Sequence, residues 1–462
     1  MPTNPASPRS PDESAPPSAG AAHGRPAPAP DPAREQRRNE RLGVWNGALY
    51  QFGEGFIDSN TVVPVFLSRL TASNTLIGIG TSLAEVGWLL PQFLVTPWVV
   101  RMRRQLEIYR AAAVVRAVAL GTVAALMWPL ADRPQALLVA FFIGYGIYCF
   151  GAGVGALSFV EVVGRVVPHE RLGRFWSSRL FWGGSLVAVA GLFVRRILEW
   201  PDPAMRFGVL FALATVLVSI AYGLFGAIRE PDHPPGESVD TPLDVLREGF
   251  RMLREDPPFR RLLVGRASLA AWSTTAPFMV LFTVHDLGGG PRAAGTFLLA
   301  RVAGFVLSNL AWPRIADRHG SRGVMRISAA IAIGVTLGAA VVGVISPWLL
   351  GWIPAPLAVS LLEALAVAGG AAQAGFLVSY GSLLFQLAPT GRRQMFVSLT
   401  NTFVAISMLA PPLGGLLVDL VNAPFVFALC SGLAYVGWRA TRRLPETRGM
   451  PAESVQEELA GG

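Results

Sequence analysis

The sequence contains no lysine, and all 39 basic residues are arginine. A P-loop needs a lysine for its phosphates, and a Schiff-base retinal or pyridoxal site needs one for its imine, so the chain holds none of these. Cysteine is nearly absent. Cys149 and Cys430 both lie within apolar blocks and read as small core residues rather than a disulfide. The five histidines (His23, His169, His233, His285 and His319) are scattered without metal-ligand spacing, so no metal site is expected. Charge is scarce as well, at 15% of residues against roughly 25% in a soluble domain. No cofactor motif emerges, and the chain reads as a non-enzyme with no catalytic residues.

What the chain has instead is apolar length. Hydrophobic residues make up 52%, and the mean hydropathy is +0.45. The apolar residues fall in blocks of about 20 to 25, the length that crosses a bilayer. The pattern predicts an all-α membrane protein with spans at about 43–66, 75–100, 107–130, 136–162, 175–199, 206–228, 260–285, 292–315, 323–346, 357–387, 394–420 and 423–440. The formal charge of +9 is explained by arginines in short loops, so no nucleic-acid partner is expected. With a cytoplasmic N-terminus, the outside loops hold only Arg69, Arg133, Arg195, Arg196, Arg206 and Arg292. Arg101, Arg103, Arg104, Arg171, Arg174, Arg318, Arg322, Arg392, Arg393, Arg442 and Arg443 are among the many at inside flanks. This bias predicts a multi-pass protein of the plasma membrane, a bacterial cytoplasmic membrane in particular, with both termini inside.

Residues 1–41, rich in Pro, Ala and Ser, read as a disordered cytoplasmic tail, and 444–462 as a second tail. Between the six-span bundles 42–228 and 260–443 lies a polar linker, 229–259. In it Thr241-Pro242 resembles a helix start, and Leu243, Leu246, Phe250 and Leu253 form the apolar stripe of an interfacial helix. The two halves resemble each other. Spans four and ten are both interrupted by glycine, at Gly144, Gly146, Gly151, Gly153 and Gly155 in one and at Gly369, Gly370 and Gly375 in the other. Such interruptions point to a midplane site or to close helix packing through small residues.

The loop after span eight reads Asp317-Arg318-His319-Gly320-Ser321-Arg322 and resembles the D-R-x-G-R/K-R/K loop of the major facilitator superfamily. In span eleven, the run from Ala410 to Gly415 is similar to the superfamily's G-P-x-x-G-G pattern. With the repeated halves, the resemblance covers about residues 42 to 443 and implies a transporter working by alternating access. It also implies a central cavity lined by spans one, four, seven and ten, and a gating loop comprising Asp317, Arg318, Gly320 and Arg322. The corresponding first-half loop, Trp98 to Arg104, lacks the aspartate. Span four lacks the arginine that many proton-coupled drug exporters carry there. Both departures count against the drug-antiporter subclass.

Charge at membrane depth is costly and marks candidate functional groups. On a continuous first span, Asn46, Tyr50, Glu54 and Asp58 form one stripe, with Glu54 and Asp58 roughly 5 to 6 Å apart. Burial and a like charge nearby favour the protonated form of one of them. Glu54 and Asp58, with Glu85, are therefore the proton-coupling candidates. The cavity candidates are Tyr50, Gln92, Arg116, Arg266, Trp272, Arg301, Glu363, Gln373 and Asn401. Arg116 is placed to pair with a carboxylate, and Glu161 with Arg179 forms a candidate inside gate.

The expected function is secondary transport of a small solute, as symport or antiport with protons, by a monomer in the bilayer. The alternatives are an organic-anion facilitator or exchanger, and a non-transporting assembly or sensor protein on the same fold. The topology is testable. A phosphatase fused at Gly289 is expected to be active and one at Gly320 inactive, and the opposite pattern would invert the orientation.

Overall fold

A computed structural model describes residues 32–99, 102–230, 247, 250–251, 253–255, 257–387, 400, 403–404, 406–442 and 444. These residues are helical with short connections, and no strand occurs among them. In chain order the helices are α1 (Pro32–Phe56), α2 (Val62–Leu67), α3 (Asn74–Val99), α4 (Gln105–Leu126), α5 (Pro134–Val166), α6 (His169–Ile197) and α7 (Pro203–Gly226). The second half has α8 (Pro257–His285), α9 (Ala293–Ser308), α10 (Trp312–Ile345), α11 (Ala355–Leu387), α12 (Ala410–Leu420) and α13 (Ala423–Thr441). Seven of them (α4, α5, α6, α7, α8, α10 and α11) are each long and apolar enough to cross a bilayer, while α9 and α12 are shorter apolar helices. The twelve expected spans are therefore met only in part by whole helices. Of the linker helix's stripe, Leu243 and Leu246 lie outside the described residues, while Phe250 and Leu253 are helical, and Phe250 meets Phe403 with ring centroids 5.6 Å apart.

Local chemistry sets the helix starts. Asp202 caps α7 by accepting from the backbone N–H groups of Ala204 and Met205 at 2.8 and 3.3 Å, with Pro203 at the first helical position. Asn422 caps α13 through the N–H of Phe425 at 2.9 Å. The start of α1 departs from the expected tail: the helix begins at Pro32, about ten residues before the predicted boundary. Its polar first turns are tied down by Glu35 to Arg229 at 3.9 Å, Glu40 to Arg171 at 3.5 Å and Arg38 to the Ala227 carbonyl at 3.1 Å.

The packing repeats. In the first half α1 packs on α6 and α7, α3 on α5, and α4 on α5 and α7. In the second, α8 packs on α12 and α13, α9 on α11, and α10 on α11 and α13. The halves meet through α3 against α12 and α6 against α9. Exchanging the halves turns each of these pairs into the other, as a pseudo-two-fold axis requires.

Two expectations change. The first span is not one helix: α1 ends at Phe56, and residues 57–61 separate it from α2. Spans four and ten, by contrast, run unbroken through their glycines as α5 and α11. The glycines serve close packing. Gly153 faces the carbonyls of Trp88 and Gly87, and a Cβ there would lie 2.7 and 2.8 Å from them. A Cβ on Gly370 would run into the backbone carbonyl of Arg301, so α9 and α11 touch at the main chain. Gly370→Ala is accordingly expected to cost about 1–3 kcal/mol and to lower the thermal unfolding midpoint in detergent. Gly146 faces open space, so Gly146→Ala is expected to leave the midpoint unchanged or raise it.

Candidate functional site

The break in α1 is built by Asp58. Its carbonyl accepts from the N–H groups of Thr61, Val62 and Val63 at 3.0 to 3.3 Å. Its carboxylate accepts from the Asn60 N–H at 3.1 Å and the Thr61 hydroxyl at 3.0 Å. An aspartate that satisfies local backbone donors in this way competes with the helix. The same carboxylate takes an N–H of Arg301 from α9, in the other half. Only 14% of the Asp58 side chain and 16% of the Arg301 side chain are exposed. Arg301 also reaches Gln373 of α11 at 3.4 Å.

Around this ion pair lies a cavity of about 30 Å³, room for about two waters. Ser59, Asn60, Thr81, Ser82 and Glu85 line it from the first half. Trp272, Ser273, Arg301 and Gln373 line it from the second. Glu85 opens onto this space and lies within electrostatic reach of Arg266 and Arg301. The Arg266 guanidinium sits 3.8 Å over the Tyr380 ring. The Nε atoms of Arg266 and Arg301 are buried without hydrogen-bond partners among the described residues.

A second polar cluster lies inside the first bundle. Arg116, 6% exposed, sits among the rings of Tyr148, Tyr222 and Tyr50 at 4.3, 5.0 and 5.4 Å. It donates to the Tyr148 carbonyl at 3.0 Å and the Tyr50 hydroxyl at 3.1 Å. Glu54 lies 3.7 Å from Arg116 and accepts from the Tyr148 hydroxyl. The expected pairing of Arg116 with a carboxylate is present. The expected stripe is divided: Glu54 stays on α1 and faces the first bundle, whereas Asp58, beyond the helix end, faces the other half.

Other candidates fall elsewhere. Glu161 pairs with Arg165 at 3.7 Å, one turn along its own helix. Arg179 instead donates to the Gly43 carbonyl at 2.7 Å and to Asn46 at 2.8 Å, so the Glu161–Arg179 gate is not formed. The α1–α6 contact gives Arg179 oxygen acceptors inside the bundle, while Glu161 finds a nearer cation. Gln92 donates to the Trp88 carbonyl of its own helix at 2.7 Å. Glu363 is half-buried and feels Arg195 and Arg292, away from the cavity lining. In the gating loop, Gly320 has φ 67°, which kinks α10, and Arg322 donates to the Arg442 carbonyl at 2.6 Å. Arg318 and Asp317 are exposed, and Asp317 makes no ion pair or hydrogen bond among the described residues. Asn401 lies outside the described residues.

The Major Facilitator Superfamily profile matches residues 44–363 and again 270–458. The chain belongs to this superfamily. No curated protein sequence matches it. Among solved structures of the superfamily fold, it resembles a bacterial homologue of the iron transporter ferroportin in its inward-facing state. The identity is 16% and the TM-score 0.65, over 88% of this chain and 99% of the other. It also resembles a POT family transporter in complex with 5-aminolevulinic acid, at 12% identity and TM-score 0.66 over 88% and 95%. The nucleoside transporter NupG matches at 17% identity and TM-score 0.59 over 89% and 98%. Superfamily membership and a multi-pass membrane fold make the chain a transporter by fold.

Sequence reasoning missed Asp419, at the end of α12. Its carboxylate caps the start of α3 across the two halves, accepting from the N–H groups of Asn74 and Thr75 at 2.9 and 3.0 Å. It also takes their side chains at 2.9 and 3.0 Å. An acidic residue closing an apolar span, and a helix start at Asn74 without an acid of its own, were the signals available. Ser68 and His285 meet across the halves at 3.0 Å on this same face. Losing an acidic cap costs about 0.5–2 kcal/mol, so Asp419→Ala is expected to raise the fraction open on this face by about 2- to 30-fold. Labelling of Ser59→Cys by an impermeant maleimide from that side reads the change, because Cys149 and Cys430 are buried. Labelling equal to that of the Ser59→Cys parent would assign Asp419 a passive surface role.

Proposed function

We propose that the chain carries a small polar solute through the central cavity by alternating access, coupled to protons, with both termini cytoplasmic. In this orientation the face carrying Asp419 and His285 is outside, and the described state is closed there. The better superposition of the ferroportin homologue in its inward-facing state (TM-score 0.65) than in its outward-facing state (0.59) supports this reading.

The observation that carries the proposal is the ion pair between Asp58 and Arg301. It joins the halves beside the cavity, so opening the outer face pulls it apart. Separating such a pair in a low-dielectric site costs several kcal/mol unless each charge is answered. A carboxylate deprived of its guanidinium there takes up a proton. Arg301, once released, accepts an anionic group of the solute. Glu85 is the second proton acceptor on this path, and Glu54 is held in the first bundle by Arg116 and Tyr148. The unpartnered Nε atoms of Arg266 and Arg301 favour a second reading within the same class, exchange or facilitated passage of an organic anion.

A thermal-shift screen of small polar solutes on the purified chain supplies the substrate. Its uptake into proteoliposomes under an imposed pH gradient then tests coupling. Asp58→Asn is expected to abolish gradient-driven accumulation while exchange of labelled solute survives, and Glu54→Gln is expected to keep both. If Asp58→Asn and Glu85→Gln each accumulate solute to the parent ratio, proton coupling at these carboxylates is wrong and anion exchange stands.

A further inference from the structure

On the face that bears the chain's tail, a groove of about 400 Å³ runs between the beginning of α1 and the end of α7. It is lined by Arg38, Arg41, Leu42, Trp45, Leu49 and Leu224. The α1 residues recur at the spacing of one helical face. From Arg38 to Leu49 the helix rises by about 16 Å, roughly half of a hydrocarbon core about 30 Å thick. Along that rise the chemistry changes in order: two guanidiniums, then an indole, then aliphatic side chains. A phospholipid presents the complementary order, from phosphate through the interfacial region to acyl chain. Tryptophan favours that interfacial depth. Trp45 is 48% exposed and stacks on Trp182 with ring centroids 5.9 Å apart, which fixes the indole as one wall.

Among the described residues the charge in the groove is uncompensated. Glu35 and Glu40, the acids nearest in α1, pair with Arg229 and Arg171. Arg38 gives one N–H to the Ala227 carbonyl and has further donors. Arg41 is exposed and makes no hydrogen bond or ion pair with any described residue. Arg34 and Arg37 add exposed positive charge at the same end.

We propose that this groove binds one anionic phospholipid, with its phosphate between Arg38 and Arg41 and an acyl chain along Leu42, Leu49 and Leu224. The site is separate from the central cavity and does not depend on the transport reading. A zwitterionic headgroup gains less here, because its own ammonium offsets the attraction. A soluble anion would use the arginines and leave the apolar wall unused.

Native mass spectrometry of the full chain in detergent, titrated with phosphatidylglycerol or phosphatidylethanolamine, tests the site. Phosphatidylglycerol is expected to bind more tightly, and Arg41→Gln to weaken it about fivefold, the factor for one basic residue at a membrane surface. Arg41 has no described contact to lose, so the variant is expected to fold. Arg69→Gln removes one exposed charge from the opposite face and is expected to change nothing. In parallel, brominated-chain phosphatidylglycerol is expected to quench Trp45 fluorescence, measured as the difference from Trp45→Phe, and less so in Arg41→Gln. Equal affinity for the two lipids overturns the proposal, as does equal weakening by Arg41→Gln and Arg69→Gln. Inorganic phosphate binding as tightly as the lipid would mark a soluble-anion site and overturn it too.

Discussion

A bilayer supplies no water to ionised groups at depth, and the structure is arranged around that constraint. Its deep charges meet it in two ways. Arg116 is enclosed within one bundle by tyrosine rings and Glu54, a contact that can persist whatever the halves do. Asp58 and Arg301 answer each other across the halves, so each charge is neutralised by a residue of the other half. The first arrangement stabilises a bundle. The second ties the two halves to each other. Both use residues of the first span, and the helix break between Glu54 and Asp58 allows one span to serve the two purposes.

The sequence made much of the fold legible because the relevant signals are long. Runs of apolar residues the length of a bilayer cannot be mistaken for loops, and the motif from Asp317 to Arg322 located a turn that Gly320 completes with its positive φ. The candidate site was legible in composition and less so in direction. Glu54, Asp58, Glu85, Arg116, Arg266, Trp272, Arg301 and Gln373 all take part in the polar clusters or line the cavity. Their grouping went astray where a regular helix was assumed through Asp58. That residue's carboxylate and carbonyl compete for local N–H groups, and periodicity does not register such competition. Glu161 and Arg179 failed for a related reason: helix rotation decided their neighbours, and each had a nearer partner in its own bundle. The glycines of spans four and ten were ambiguous because a residue that lets a helix break also lets two helices touch.

The short helix after the break places the boundary between the two halves in an unexpected position. All six residues of α2 are buried. α2 packs on α3 but also on α8 and α9, which belong to the second half. Within the first half Phe66 packs on Phe141, Phe207 and Phe211, so it is the remainder of α2 that the second half covers. A gene split at the central linker would therefore leave the first fragment with the part of α2 that meets α8 and α9 uncovered. Only recombination of the two fragments in the membrane would restore that cover. Biogenesis of the intact chain faces the same problem in time. The first segments to enter the bilayer wait for α8 and α9, made much later, before their burial is complete.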